Sequence, residues 1–250
     1  MSHDGHVSRF AAAAPPAGPS PLRLHEALQL LASAGVGLPD GDAGKPGWMQ
    51  ALIDRLVDLS SRDALTGLVN RRGFELALAR ELDRVARSGE PALLLAVDID
   101  HFKRINDGWG HGAGDEVLRT ISRLLLESVR PMDLVARIGG EEFAIILPSC
   151  APAFGETVAE RVRRRVGRLP VAVGVGARLE VTVSICGAYA PPWVRSTPAL
   201  WLERADRQLY RAKSLGRNLV QFEPTTLASV SAEERRLLFD SSALQDLDSE

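Results

Sequence analysis

The stretch LVARIGGEEFAIILP, Leu134 to Pro148, decides the fold. Two apolar, β-branched runs flank Gly139-Gly140, so it reads as a hairpin of two strands about a Gly-Gly turn. Its tip sets Glu141 and Glu142 side by side. Like charges at that spacing repel, so a cation belongs beside them. Upstream, PALLLAVDID (Pro91 to Asp100) is an apolar run ending in acids, the pattern of a buried strand whose carboxylates emerge at its end. If that strand neighbours the hairpin, Asp98, Glu141 and Glu142 converge. Carboxylates without His or Cys suit a hard cation, Mg²⁺ or Mn²⁺ in its place, and Mg²⁺ so held keeps positions for water and phosphate. The chemistry implied is phosphoryl or nucleotidyl transfer on a nucleotide. The two glycines permit a tight turn and close approach of a ligand.

Around this centre the periodicity is regular. A helix is expected over RRGFELALARELDRVARSG, closed by Gly89, and a second over GAGDEVLRTISRLLLESVR, with Val117, Ile121, Leu125 and Val129 in register. A helix over AFGETVAERVRRRVGRL, an alternating strand over EVTVSICGAYA, a helix over PALWLERADRQLYRAKSLG ended by Gly216 and a last strand over NLVQF complete the domain. The fold class is α+β, helices on a central, mainly antiparallel five-stranded sheet. There is no internal repeat. Residues 1–20 read as a disordered tail. Residues 21–60 read as a helical N-terminal region, with Leu24, Leu28 and Leu31 on a short helix and a stalk helix over 47–60. Residues 61–222 form the catalytic domain. Residues 223–250 form a polar tail, with a turn or two of helix around Glu233 to Phe239. On the stalk, Trp48, Leu52, Leu56 and Leu59 make a narrow apolar seam. It either pairs with its twin in a homodimer or packs on its own domain.

Composition narrows the setting. Of 250 residues 45% are hydrophobic, enough for a core, and the net charge of -2 argues against a nucleic-acid coat. Cys150 and Cys186 lack metal-ligand spacing and suit a reducing compartment, the cytoplasm. No apolar run reaches the ~18 residues of a membrane span. The Ala run near the start is broken by prolines and has no basic lead, so it does not read as a signal peptide.

Four motifs in order carry a family resemblance: DALTGLVNRR (Asp63 to Arg72), VDIDHFKRINDGWGHGAGDEVL (Val97 to Leu118), GGEEF (Gly139 to Phe143) and ADRQLYRAKSLGRN (Ala205 to Asn218). Together they resemble the GGDEF domain family, the diguanylate cyclases, over about Ser61 to Phe222. The resemblance implies a fold like nucleotidyl cyclases and polymerase palms, and a reaction joining two GTP into cyclic di-GMP and two pyrophosphates. It implies Asp98, Glu141 and the Ile99 carbonyl as Mg²⁺ ligands. Glu142 would be a further ligand or assist deprotonation of the attacking 3′-hydroxyl. Asn106 and Asp115 would read guanine. Lys103, Lys213 and Arg217 would hold phosphates, with backbone amides around His101, Phe102 and Lys103 as an anion cradle. Lys213 and Arg217 stand four apart, one helical turn; a solvated basic face is the plain alternative. Asp100 and Asp107 are expected to fix turns and caps, His101 and His111 to shape loops, and Asp63 and Asn70 to bond backbone around a turn.

Five residues, Leu134 to Ile138, separate Gly139 from RPMD, Arg130 to Asp133. In the family an RxxD at that distance is an inhibitory site for cyclic di-GMP, and Arg suits stacking on guanine and forking onto phosphate. Arg161 is the candidate second arginine; a salt bridge at a strand entrance is the plain alternative for Arg130 and Asp133. Cys186 stands where the family has Gly, and VAVGVGARLE is Gly-punctuated and reads as an altered hairpin. The tripeptide EAL at Glu26 to Leu28 sits on a short helix and is a coincidence. Because one site holds one GTP, two domains must meet face to face, and the stalk is the natural lever. The alternatives are a catalytically silent cyclic di-GMP or GTP sensor and a cyclase using one nucleotide. The N-terminal region is the candidate place for a regulatory protein to deliver an input signal.

Overall fold

The computed structural model describes residues 24–43, 45–174, 176–190 and 196–223. The expected tail over 1–20 and the helical turn around Glu233 lie outside the described residues. Contacts divide the chain into two units, 1–60 and 61–250.

In the first unit α1 (His25–Ser33) and α2 (Pro46–Ser60) share a small core. Leu31, Trp48 and Leu52 are buried in it, lined by Leu24, Leu28, Val36, Met49, Leu56 and Leu59. The Trp48 indole N–H donates to the Pro39 carbonyl at 3.0 Å, which satisfies the one polar atom the ring would bury. The α2 seam therefore packs within its own unit, against α1.

The second unit begins with α3 (Arg71–Ser88). Asn70 caps it by accepting from the Gly73 amide at 3.0 Å, and Gly89 ends it in the left-handed conformation. There follow β1 (Ala92–Ile99), α4 (Phe102–Trp109), α5 (His111–Leu126), β2 (Leu134–Arg137) and β3 (Glu142–Leu147). Then come α6 (Pro152–Arg168), β4 (Val171–Val173), β5 (Ala177–Leu179), β6 (Val183–Ala190), α7 (Pro198–Ser214) and β7 (Val220–Phe222). The five-stranded sheet runs β2-β3-β1-β6-β7, antiparallel except for the parallel pair of β6 and β7. β4 and β5 form a separate hairpin where the glycines punctuate the sequence.

β1 is central and buried throughout, so it reads as a continuous apolar run rather than an alternation. Its side chains still alternate between two cores. Leu93, Leu95, Val97 and Ile99 join the core that holds residues of α5 and α6. Ala92, Leu94 and Ala96 face the core that holds residues of α3 and α7. Each fully buried leucine or isoleucine contributes roughly 1.5–3 kcal/mol. The second face is rich in alanine (Ala136, Ala144, Ala188, Ala205, Ala212), which lets α7 approach closely, with Trp201 filling the remaining space. That approach brings the last turn of α7 to the end of β1. One element differs from expectation: residues 102–109 form a helix that their polar, Gly-containing sequence did not announce. The expected stop of α7 at Gly216 is present: the helix runs to Ser214, and Gly216, Arg217 and Asn218 all take positive φ.

Candidate active site

Register builds the site. β1 and β3 pair with Asp98 opposite Glu142, and the Ile99 amide donates to the Glu141 carbonyl at 3.2 Å. Residues paired across a ladder share a face, so two carboxylates meet at the sheet end with a third on the adjoining turn. The Asp98 residue is only 2% exposed, and the Lys213 ammonium, from the last turn of α7, lies 2.7 Å from its Oδ2. Burial pushes the Asp98 carboxyl above its ordinary range; Lys213 opposes this, while Glu142 and Asp100 add to it. Glu141 is raised by burial and then by the Asp98 charge. Asp206 on α7 is raised by burial and by Glu142. Asp98, Glu141, Glu142 and Asp206 together carry more negative charge than Lys213, with Arg71 acting on Asp206, answers.

These donors suit a hard divalent cation in chemistry: they are all oxygen, stand at the ends of two paired strands and on the adjoining turn, and lack a full counter-charge. Among the described residues no three metal-ligating side chains are already drawn together. Lys213 fills the role of cation beside Asp98.

The signature turn is held from behind. Arg137 donates through Nη2 to the Gly140 carbonyl at 2.9 Å and through Nη1 to the Asp63 carboxylate at 3.2 Å. Asp63 also accepts from the Thr66 amide and hydroxyl, as expected of a turn-fixing acid, and these bonds hold its carboxyl below the ordinary range against burial. Neither Gly139 nor Gly140 has positive φ, so handedness is not why glycine stands there. Gly139 is needed for room: a Cβ on it would overlap the Glu142 carboxyl, whereas one on Gly140 meets nothing within 4 Å. Should GTP be the substrate, as the resemblance implies, Gly139→Ala is expected to displace Glu142 and cut turnover at least about tenfold, with Gly140→Ala milder, measured as initial rates on GTP. Equal rates for the two variants would refute this.

The remaining candidates fall into three places. On α4 and α5, the carboxamide of Asn106 fills the space beside Gly114, where a Cβ would overlap it, next to Asp115. His101 has φ 59° and precedes α4; the Phe102 ring is buried, so only its backbone can face a ligand, and Lys103 is exposed. Arg217 is not one helical turn beyond Lys213, since the helix has already ended; it sits on the left-handed turn Gly216–Asn218. Arg130 and Asp133 lie at the other end of the hairpin. Their side chains pair at 2.9 Å, Asp133 also accepts from the Arg130 amide, and Arg130 donates to the Pro148 carbonyl. The salt bridge given as the plain alternative for this pair is thus present, with the Asp133 side chain 1% exposed and that of Arg130 36%. The Arg130 guanidinium lies 5.4 Å from the centre of the Phe154 ring, and Arg161 donates to the Ser128 carbonyl nearby. The roles of Phe154, Arg137 and the partners of Asp100 went unnoticed: Arg137 and Asn218 lie within or beside the quoted motifs, but their partners Asp63 and Asp100 are distant in sequence, and only spatial closeness brings Phe154 to Arg130.

The geometry has relatives. Residues 60–219 match the family model described as diguanylate cyclase, GGDEF domain. The chain is 44% identical over 169 residues to the response regulator PleD of Caulobacter vibrioides, covering 67% of this chain and 37% of that protein. The chain thus spans well under half the length of that relative. Its structure is similar to the coiled coil and GGDEF domain of DgcB from Caulobacter crescentus, solved in complex with c-di-GMP. There the TM-score is 0.67 at 29% identity, covering 80% of this chain and 100% of that one. It is also similar to the diguanylate cyclase SiaD of Pseudomonas aeruginosa, solved with its activator SiaC. The TM-score is 0.63 at 35% identity, over 80% and 75% of the two chains. With its signature turn, opposed carboxylates and the family match over most of the second unit, the chain belongs to the GGDEF-domain family of diguanylate cyclases.

Proposed function

We propose that this chain condenses two GTP into cyclic di-GMP and two pyrophosphates, acting as a homodimer with Mg²⁺ bound (Mn²⁺ serving in its place). The observation that carries the reading is Asp98 opposed to Glu142 across β1 and β3, with Glu141 beside them and Lys213 at 2.7 Å. Asp98, Glu141 and the Ile99 carbonyl would hold the metal, which supplies Lewis-acid stabilisation of the phosphoryl charge. Glu142 would serve either as a further ligand or as acceptor of the 3′-hydroxyl proton, as that oxygen attacks the α-phosphorus of the other GTP and pyrophosphate leaves. Lys103, Lys213 and Arg217, with the backbone amides of His101 to Lys103, hold the phosphates; Asn106 and Asp115 select guanine. Each domain presents one nucleotide, so the reaction needs two copies face to face.

Cyclic di-GMP returns to Arg130, Asp133 and Arg161 as inhibitor. The α1–α2 unit serves assembly or a regulatory protein, a use supported by the partner-bound state of SiaD. We place the reaction in the cytoplasm: both cysteines are free, buried thiols, and no helix among the described residues is long and apolar enough to cross a membrane. The reading is tested by incubating the protein with GTP and Mg²⁺ and weighing the product. Cyclic di-GMP, at a rate rising faster than linearly with protein concentration, is expected. Absence of any cyclic dinucleotide across that range would make the chain a silent sensor, and cyclic GMP would make it a one-nucleotide cyclase.

A further inference from the structure

Two residues beyond Asp98, Asp100 is 5% exposed and yet fully engaged. Its Oδ2 accepts from the Thr182 hydroxyl at 2.7 Å and from the Asn218 backbone amide at 3.0 Å; its Oδ1 accepts from the Ser184 hydroxyl at 2.7 Å. Its own amide donates to the Thr182 carbonyl at 2.9 Å. One side chain therefore ties the end of β1 to the start of β6 and to the turn after α7. That turn is an unusual one. Gly216, Arg217 and Asn218 have φ of 115°, 66° and 47°, and two of the three carry a Cβ, which the left-handed region disfavours. Backbone of this kind persists only where its surroundings over-determine it. Here the Asn218 amide is held by Asp100 from below, and the Asn218 carbonyl and side-chain oxygen accept from Arg163 of α6 at 3.1 and 2.7 Å. The Arg217 amide closes back on the Ala212 carbonyl at 3.1 Å. The turn carries Arg217 and ends the helix that carries Lys213.

We propose that Asp100 is a positioning residue for the phosphate grip: by holding the strained Gly216–Asn218 turn, it sets Arg217 and the end of α7 on the polyphosphate chain of the nucleotide. The inference rests on the GTP reading above. It separates the two acids that end β1. Asp98 faces an ammonium that a ligand can replace, whereas both oxygens of Asp100 are already taken by three protein donors, so Asp100 is an anchor and not a metal ligand.

Substitution distinguishes these roles. Asparagine at this position keeps every contact: its oxygen accepts from Thr182 and Asn218, and its amide donates to the Ser184 hydroxyl, which rotates to accept. Alanine loses all three. Three measurements on the full chain apply: hydrogen exchange at the Asn218 amide, GTP affinity and guanosine affinity. In Asp100→Ala we expect exchange and the GTP dissociation constant to rise at least about tenfold, with guanosine affinity changed less than about threefold. In Asp100→Asn all three should stay within about threefold of the native protein. Asp100→Ser, too short to reach the Asn218 amide, carries the expectation of the alanine variant should that one fail to fold. Equal weakening of GTP and guanosine, an unchanged Asn218 amide, or an asparagine variant as poor as alanine would each overturn the proposal. Native protein that binds no GTP would overturn the functional reading and the phosphate-grip role with it. The exchange result alone would still decide whether Asp100 holds the turn.

Discussion

Asp98→Asn is expected to lower cyclic di-GMP formation by about three orders of magnitude, or about 4 kcal/mol of transition-state stabilisation, while leaving the metal-free fold more stable than the native one. The loss follows from removing an ionised oxygen ligand at the most buried position of the site. The gain follows from the same burial. Asp98 is 2% exposed, and its carboxyl is raised above the ordinary 3.8 by desolvation, with Lys213 only partly offsetting this. An acid whose folded pKa exceeds its unfolded value holds more protons folded than unfolded, so its ionisation subtracts stability as pH rises through the window between the two. Below 3.8 the penalty is absent; above the raised value it is complete. Asparagine has no such penalty, and the Lys213 side chain it leaves behind is 35% exposed, so water can solvate the ammonium. Thermal melts in chelator should therefore show an advantage of Asp98→Asn that is absent below 3.8, grows as pH rises above it, and then levels off, remaining complete at neutral pH. A variant that melts below the native chain at pH 8, or that retains activity, would show Asp98 to be a structural acid.

The second large effect is expected at the far end of the hairpin. Arg130→Ala should raise the product concentration needed for half-inhibition by at least about tenfold, with the initial rate on GTP within about twofold of native. Arg130 pairs with Asp133 at 2.9 Å and lies over Phe154, so its guanidinium is already oriented edge and face, the two ways it can meet a guanine and a phosphate. Removing it leaves the Asp133 carboxylate, 1% exposed, with the Arg130 amide as remaining donor, and should cost about 1–3 kcal/mol of stability. That cost is a confounder, and Arg161 removes it. Arg161 is exposed and donates to the Ser128 carbonyl, so Arg161→Ala should weaken inhibition with little change in melting temperature. Progress curves that still flatten in both variants, and to the same degree as native, would place product control elsewhere.

How much of this was legible depends on how far apart the partners lie in sequence. The hairpin was, because Gly139-Gly140 between β-branched runs is a local signal. So was the acid at the end of a strand, because an apolar run that closes on Asp98 sets a carboxylate at the rim of the core, where a cation must answer it. The helix over 102–109 was not: FKRINDGW has Asn, Asp and Gly, poor helix formers, and is held by Phe102 and Ile105 packing on residues remote in sequence. The stop of α7 at Gly216 was legible, and it already separates Lys213 from Arg217; what spacing alone could not give is the left-handed course of Arg217 and Asn218 beyond it. The stalk seam was correctly seen as apolar, but pattern cannot name which surface covers it; Leu31 of α1 does. The clamp on Asn218 was beyond reach altogether, since Asp100 and its three donors are separated by as many as 118 positions.

Lys213 beside Asp98 has a last consequence, a thermodynamic one. A single ammonium cannot neutralise a buried carboxylate and a polyphosphate tail at once. Phosphates that draw Lys213 toward themselves expose Asp98 uncompensated and so raise its appetite for a metal ion. By linkage the converse holds with the same factor: a metal ion at Asp98 releases Lys213 for the nucleotide. Metal and GTP should accordingly show positive heterotropic cooperativity, with the lysine as the shared counter-ion that one ligand surrenders to the other.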